Sequence, residues 1–321
     1  MENVRKIVLV TGGAGFIGSH LVGKLLKDGH RVLSVDNLLT GSQSNVDIFK
    51  DNPNFSFINH DVTKPLDLEE RVESVFHLAS PASPNHHSKL SYHSLPMETM
   101  LVNTTGTLEM LKLAAKNKAK FLFASSSEAY GDPLEHPQKE EYRGNVSTTG
   151  PRSIYDEAKR FGETLTAYYW RDKDLDARIV RIFNTYGTRM LVADMRMIIT
   201  FINQALEGKP ITVFGDGLQT RSLCHVSDTV EGLIKLMSQP NTKGEVVNIG
   251  GQEEHTVLEY AQVVKKLTTS RSEIVFSEAL PIDDPKQRKA DTSKAKSLLG
   301  WEQKVSLEDG LKELIEYFRG L

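Results

Sequence analysis

Apolar residues fall along this chain in two alternating rhythms. Short unbroken runs rich in Val, Ile and Phe recur at residues 7–10, 32–35, 55–58, 75–78, 120–124 and 177–182. Between them, stretches starting at 16 and spanning 97–116 and 153–171 repeat their apolar positions with helical spacing. Compact apolar runs bounded by turn residues fit strands buried on both faces, and their alternation with helices predicts a parallel sheet. Beyond residue 184 the rhythm loosens. Strands are expected at 211–214 and 246–249, and helices near 198–207, 226–237, 256–267 and 307–318. The expected fold is α/β, a Rossmann-type doubly wound parallel sheet over 1–183 with a returning segment near 217–240. A smaller C-terminal lobe occupies mainly 184–321.

Composition narrows the function more than the fold. A net charge of −3 gives no electrostatic case for nucleic acid or an anionic membrane surface. The single Cys224 excludes an intrachain disulfide and fits a reducing compartment, so a cytoplasmic location is expected. No apolar run approaches the length of a membrane span, and 7–10 is too short for a signal peptide.

The first strand leads into TGGAGFIG and then a helix. Gly13, Gly15 and Gly18 fit one dinucleotide spacing, and Gly12, Gly15 and Gly18 the other. In either register, glycines let backbone approach a pyrophosphate at a helix N-terminus. The second strand ends at Asp36, where an acidic residue can bond the adenosine ribose, and Asn37 to Thr40 offer no cation for a 2′-phosphate. NAD is therefore expected rather than NADP. Asp61 stands at the end of the third strand, to meet the adenine or to cap a helix.

Tyr155 and Lys159 stand at i and i+4 within YDEAK, so a phenol and an ammonium share one helix face. A phenol is a poor base at neutral pH, and a neighbouring cation favours its anion. Beside a nicotinamide, such a pair can take a proton from a substrate hydroxyl while hydride leaves its carbon.

TGGAGFIG, the strand-end serines, YxxxK and RIFNTYG together resemble the extended short-chain dehydrogenase/reductases that act on nucleotide sugars. HLASPASP, SSSEAYGDP, VFGDGLQTRS and DDPKQRKAD resemble the UDP-glucuronate decarboxylase branch of that family. The resemblance implies catalytic roles for Tyr155, Lys159, Ser126, Ser127, Glu128 and Arg288. It implies NAD contacts from Gly12, Gly15, Phe16, Ile17, Gly18, Asp36, Asn37, Thr40, Gly41, Asp61, Val62, Leu78, Ala79 and Ser80, with Tyr155 and Lys159. It implies substrate contacts from Pro81, Ser83, Asn184, Arg189, Phe214 and Arg221. The substrate would be a nucleotide sugar, UDP-glucuronate by this likeness. A homodimer is implied through the helices at 97–116 and 153–171.

Several features depart from that pattern: Thr188 replaces an expected proline, and Asp194-Met195-Arg196 stands where Asp-Gly-Arg is expected. Ser126 stands where threonine is usual, and the triple serine is similar to sugar 4-epimerases, which share the Tyr/Lys/NAD chemistry without loss of CO2. A non-catalytic NAD-binding regulator is the third reading. The segment 86–91 also looks like a short insertion. Its His86 and His87, with His93 nearby, have no partner carboxylate or cysteine spacing in the sequence, so no metal is expected.

Overall fold

Seven parallel strands form the centre of the protein, in a computed structural model that describes residues 6–320. They are β1 (Ile7–Thr11), β2 (Arg31–Asp36), β3 (Phe55–Asn59), β4 (Ser74–His77), β5 (Lys120–Ser126), β6 (Ala177–Ile182) and β7 (Val246–Ile249). Their spatial order is β7-β6-β5-β4-β1-β2-β3, so the chain reverses direction of travel between β1 and β4. That switch opens a crevice at the carboxyl ends of the strands. Residues 1–5 and 321, which the expected domain ranges include, lie outside the described residues.

Both faces of the sheet are covered, which is why its strands read as unbroken apolar runs. One face packs Val8, Val10, Phe76 and Leu122 against helix α1 (Phe16–Lys27) and the helix Val226–Ser238. Trp301 completes that layer, fully buried, its indole N–H donating to the Asp228 carbonyl at 2.8 Å. The other face packs Leu9, Val75, Phe121 and Phe123 under Met110, Leu111 and Ala114. A separate core joins Tyr186, Ile198, Ile202, Tyr260, Leu311 and Phe318, and forms the body of the C-terminal lobe. The stretch returning to the main sheet extends past the expected 217–240, since β7 pairs with β6 and helix Ser293–Leu299 packs beside β7.

The expected helix over 97–116 is built in three parts. Pro96–Leu101 and Thr107–Asn117 are α-helical, and Val102–Gly106 between them is a π-turn. The widened turn places the buried Asn103 amide 2.9 Å from the Ser80 hydroxyl. Helix α2 (Ser153–Asp172) packs closely here, because a side chain at Gly162 would meet the Phe123 ring at 2.4 Å.

Candidate active site

One cavity of about 570 Å³ runs from the glycine loop across the strand ends to the C-terminal lobe. Every site residue expected from the sequence lines it. At one end the chain turns at Gly12, whose φ of +71° is left-handed, and a side chain there would meet the Ala79 nitrogen at 2.8 Å. A side chain at Gly18 would lie 2.0 Å from the Gly12 carbonyl oxygen, so helix and loop touch without one. Gly15 caps α1 without a side-chain partner and leaves the N–H groups of that helix facing the crevice.

Asp36 fixes the rim of this loop. One of its carboxylate oxygens accepts from Ala14 N at 3.1 Å and the other from Leu38 N at 2.8 Å. Burial pushes its carboxyl above the usual range, with those backbone N–H groups opposing. The loop after it closes back on the turn, where Asn45 donates to the Ala14 carbonyl at 3.0 Å. A glycine cradle, an orphan helix N-terminus and a strand-end aspartate together fit a dinucleotide.

Strand β5 runs through Ser125 and Ser126, so Ser127 and Glu128 open the short turn Ser127–Tyr130. Helix α2 starts just beyond Arg152 and brings Tyr155 and Lys159 against these serines. The Ser126 hydroxyl lies close enough to the Tyr155 phenol to favour its anion, yet burial dominates and pushes the phenol well above its ordinary value. Lys159 is also buried. Its ammonium donates to the Ala124 carbonyl at 2.8 Å and sits 5.5 Å from the Tyr155 ring centre. Burial pushes its pKa down to about 7, with Glu163 opposing.

Across the cavity stands a chain of charges that the sequence reading only half anticipated. Glu128 is gripped from two sides, by Arg288 and by Arg152, whose Nη2 donates at 2.6 Å. Arg152 also reaches Asp284 at 3.2 Å, and Arg221 donates to the other oxygen of Asp284 at 2.8 Å. Burial alone would raise the Glu128 carboxyl, but Arg152 and Arg288 outweigh it and hold it down at about 2. Three guanidinium groups thus face two carboxylates, and the Nε donors of Arg152 and Arg288 are buried without a partner. An excess of cationic donors around a cavity suits an anionic ligand.

Arg152, Asp284 and Tyr92 were missed from sequence. Arg152 follows a proline three residues before Tyr155, and only that nearness could have flagged it. Tyr92 stacks on the back of Tyr155 and has no sequence signal. Other expected contacts are committed to the protein itself. The Ser83 hydroxyl donates to Asp194 O at 2.7 Å, and Arg189 donates to Ser19 O at 3.0 Å while lying over the Phe49 ring. Phe214 packs beside His86 and His87, and the fold supplies these histidines with the carboxylate that the sequence did not show, Glu278.

Residues 8–250 match the NAD dependent epimerase/dehydratase family. The chain is 50% identical over 317 residues to UDP-glucuronic acid decarboxylase 1 of Danio rerio, covering 99% of this chain and 73% of that protein. It is 50% identical over 315 residues to UDP-glucuronic acid decarboxylase 4 of Arabidopsis thaliana, covering 97% and 68%. Among solved structures, UDP-glucuronic acid 4-epimerase from Bacillus cereus in complex with UDP-glucuronic acid and NAD superposes with a TM-score of 0.84 at 30% identity, over 98% of this chain and 99% of that one.

Proposed function

The chain belongs to the NAD dependent epimerase/dehydratase family, and from that premise we propose that it converts UDP-glucuronate to UDP-xylose and CO2, with NAD recycled in each turnover. The observation that carries this reading is Glu128, held ionised between Arg288 and Arg152 in the same cavity as Tyr155 and Lys159. The glycine loop, Asp36, Tyr155 and Lys159 would hold NAD. Bound there, it supplies a reversible acceptor for the hydride at the sugar's C4.

The protein's own residues do the rest. Tyr155 takes the proton of the 4-hydroxyl, since its phenol oxygen lies beside Ser126 at the cavity wall. Lys159 is the chain's own cation near that ring and favours the phenolate whenever it is protonated. A 4-ketone lies β to the uronate carboxylate, so the C5–C6 bond breaks with its electron pair passing to the ketone oxygen. Arg288 and Arg152, both lining the cavity, set positive charge beside the carboxylate, and Glu128, already anionic, repels it. A group held down at about 2 is no proton donor at neutral pH, so Glu128 acts as a charge and as a brace for the two arginines. Arg221 and Asn184, further along the same wall, face the nucleotide diphosphate in this reading.

A homodimer and a cytoplasmic location belong to the same proposal. Met97 and Leu101 on the helix Pro96–Leu101 and Phe161 and Tyr168 on α2 are exposed apolar residues on helices that pack side by side. Among the described residues no helix is long and apolar enough to cross a membrane, and Cys224 is a free, buried thiol.

Incubation of the full chain with UDP-glucuronate and NAD+, followed by NMR and mass spectrometry, tests the function. Loss of the mass of one CO2 with UDP-xylose signals is the expected result, and Tyr155→Phe should lower turnover by about 10²–10⁴-fold. Unchanged mass with UDP-galacturonate formation would make it an epimerase. Binding of NAD without turnover would make it a regulator.

A further inference from the structure

The geometry points to a divalent transition-metal site of the zinc class at the mouth of the cavity, formed by His86 and His87 from one loop and Glu278 from another. Neither the catalytic cluster nor the glycine loop contributes to it. His87 Nε2 lies 3.1 Å from each oxygen of Glu278, and His86 Nε2 lies 3.6 Å from one of them. The three ligand atoms all fall within 4.8 Å of one another. Zinc bound tetrahedrally at about 2.0–2.1 Å separates its ligands by roughly 3.4 Å. The two histidine–carboxylate separations already meet that requirement, and a small turn of one imidazole closes the third.

Donor chemistry selects the class of ion. Two imidazoles and one carboxylate suit Zn2+ and its neighbours in the transition series, whereas Mg2+ and Ca2+ take oxygen donors. All three side chains are close to half exposed, which leaves the fourth position to water. Neither histidine needs to be dug out of a core to bind.

The histidines are also held in place beforehand. Their loop is tied to the backbone of 193–195 by Ser83 to Asp194 O at 2.7 Å, Ser88 to Ala193 O at 2.6 Å and Asn85 Nδ2 to Met195 O at 2.6 Å. The Asn85 side-chain oxygen accepts from His87 N at 2.9 Å. The two imidazoles lie with centroids 4.0 Å apart and planes tilted by 42°, and both lean on Phe214. A surface pair that merely shared a hydrogen bond would not need two rings converging on one carboxylate from a braced loop.

An ion here would join two loops that frame the substrate opening. Glu278 precedes Leu280, Pro281 and Asp284, which line the cavity, and Asp284 is the carboxylate shared by Arg152 and Arg221. Metal binding therefore pins the 277–285 segment against the 84–91 loop above Phe214.

Titration of the chelator-treated full chain with Zn2+ by calorimetry, and with Co2+ by visible absorption, tests the site. The expected result is one equivalent per chain, with the intense ligand-field bands of four-coordinate Co2+. Both signals should be lost in His86→Ala/His87→Ala and weakened in Glu278→Gln, while His136→Ala, at a separate histidine–carboxylate pair, keeps them. Zn2+ should also slow backbone hydrogen exchange over 277–285 in the wild type only. Absence of stoichiometric binding, or binding that survives the double substitution, overturns the proposal. Binding that leaves exchange at 277–285 unchanged overturns the link to the cavity mouth.

Discussion

Tyr92 lies flat against Tyr155, ring centroids 5.0 Å apart and planes only 16° from parallel. Tyr92 is almost wholly buried, and its hydroxyl is a buried atom without a hydrogen-bond partner. The contact is therefore one of ring against ring, and the Tyr155 phenol is held from behind by packing. Removing an unsatisfied hydroxyl while keeping the ring is close to neutral or stabilising. Tyr92→Phe should keep turnover and melt at the same temperature or slightly higher. Tyr92→Ala should lose about 3–5 kcal/mol of stability, and turnover should fall while NAD affinity holds. Melting curves and steady-state kinetics on both variants decide the point.

Lys159 gives a pH signature to the cofactor-free protein. Its folded pKa is about 7 against an ordinary 10.5. Between those values the unfolded chain binds more protons than the folded one, so this group's contribution makes stability rise with pH. Below about pH 7 the penalty of burying the ammonium is complete. Lys159→Met removes it, so the variant should gain stability relative to wild type as pH falls from 10.5 to 7 and hold that gain below. Denaturant titrations across the range read the effect, and the same variant should be inactive.

Glu128 has the opposite window. Its carboxyl is held at about 2 against an ordinary 4.5, so its stabilising contribution is full above 4.5 and is lost as pH falls toward 2. The shift corresponds to stability on the order of 3 kcal/mol. Glu128→Gln leaves Arg288 without its carboxylate and Arg152 with Asp284 alone, in a buried site, a loss of about 3–5 kcal/mol at neutral pH. The difference between variant and wild type should shrink through that acid window. A constant difference would place the stabilisation elsewhere.

Gly18→Ala tests the cradle. The added carbon would sit 2.0 Å from the Gly12 carbonyl oxygen, which belongs to backbone and cannot swing aside. Helix α1 or the loop must shift, at a cost of about 1–3 kcal/mol. NAD affinity should fall with it, as calorimetry would measure. Gly29→Ala, at a turn with open space around it, should leave NAD affinity unchanged.

The strands of the main sheet, α1 and α2 were legible because burial on both faces of a sheet, or on one face of a helix, writes a period into consecutive residues. The paired strands Thr220–Ser222, Glu254–Thr256 and Gln287–Arg288 were not, since pieces of two or three residues are too short to show a period. The π-turn over Val102–Gly106 also escaped. It is a local widening that carries the Asn103–Ser80 hydrogen bond and lies against Gly162, and one extra residue in a turn does not alter the apolar period around it.

Local sequence by itself determined the dinucleotide cradle and the Tyr155–Lys159 face, because each lies within one turn or one helix and its chemistry depends on short spacing. Only the tertiary structure decided what surrounds them. It set Arg152, Arg288 and Glu128 against one another, Tyr92 behind Tyr155, and Glu278 between two histidines 191 residues from His87. Those contacts join loops that meet because the sheet they leave from is packed on both sides, and a loop's course across a strand end leaves no repeating mark in the sequence.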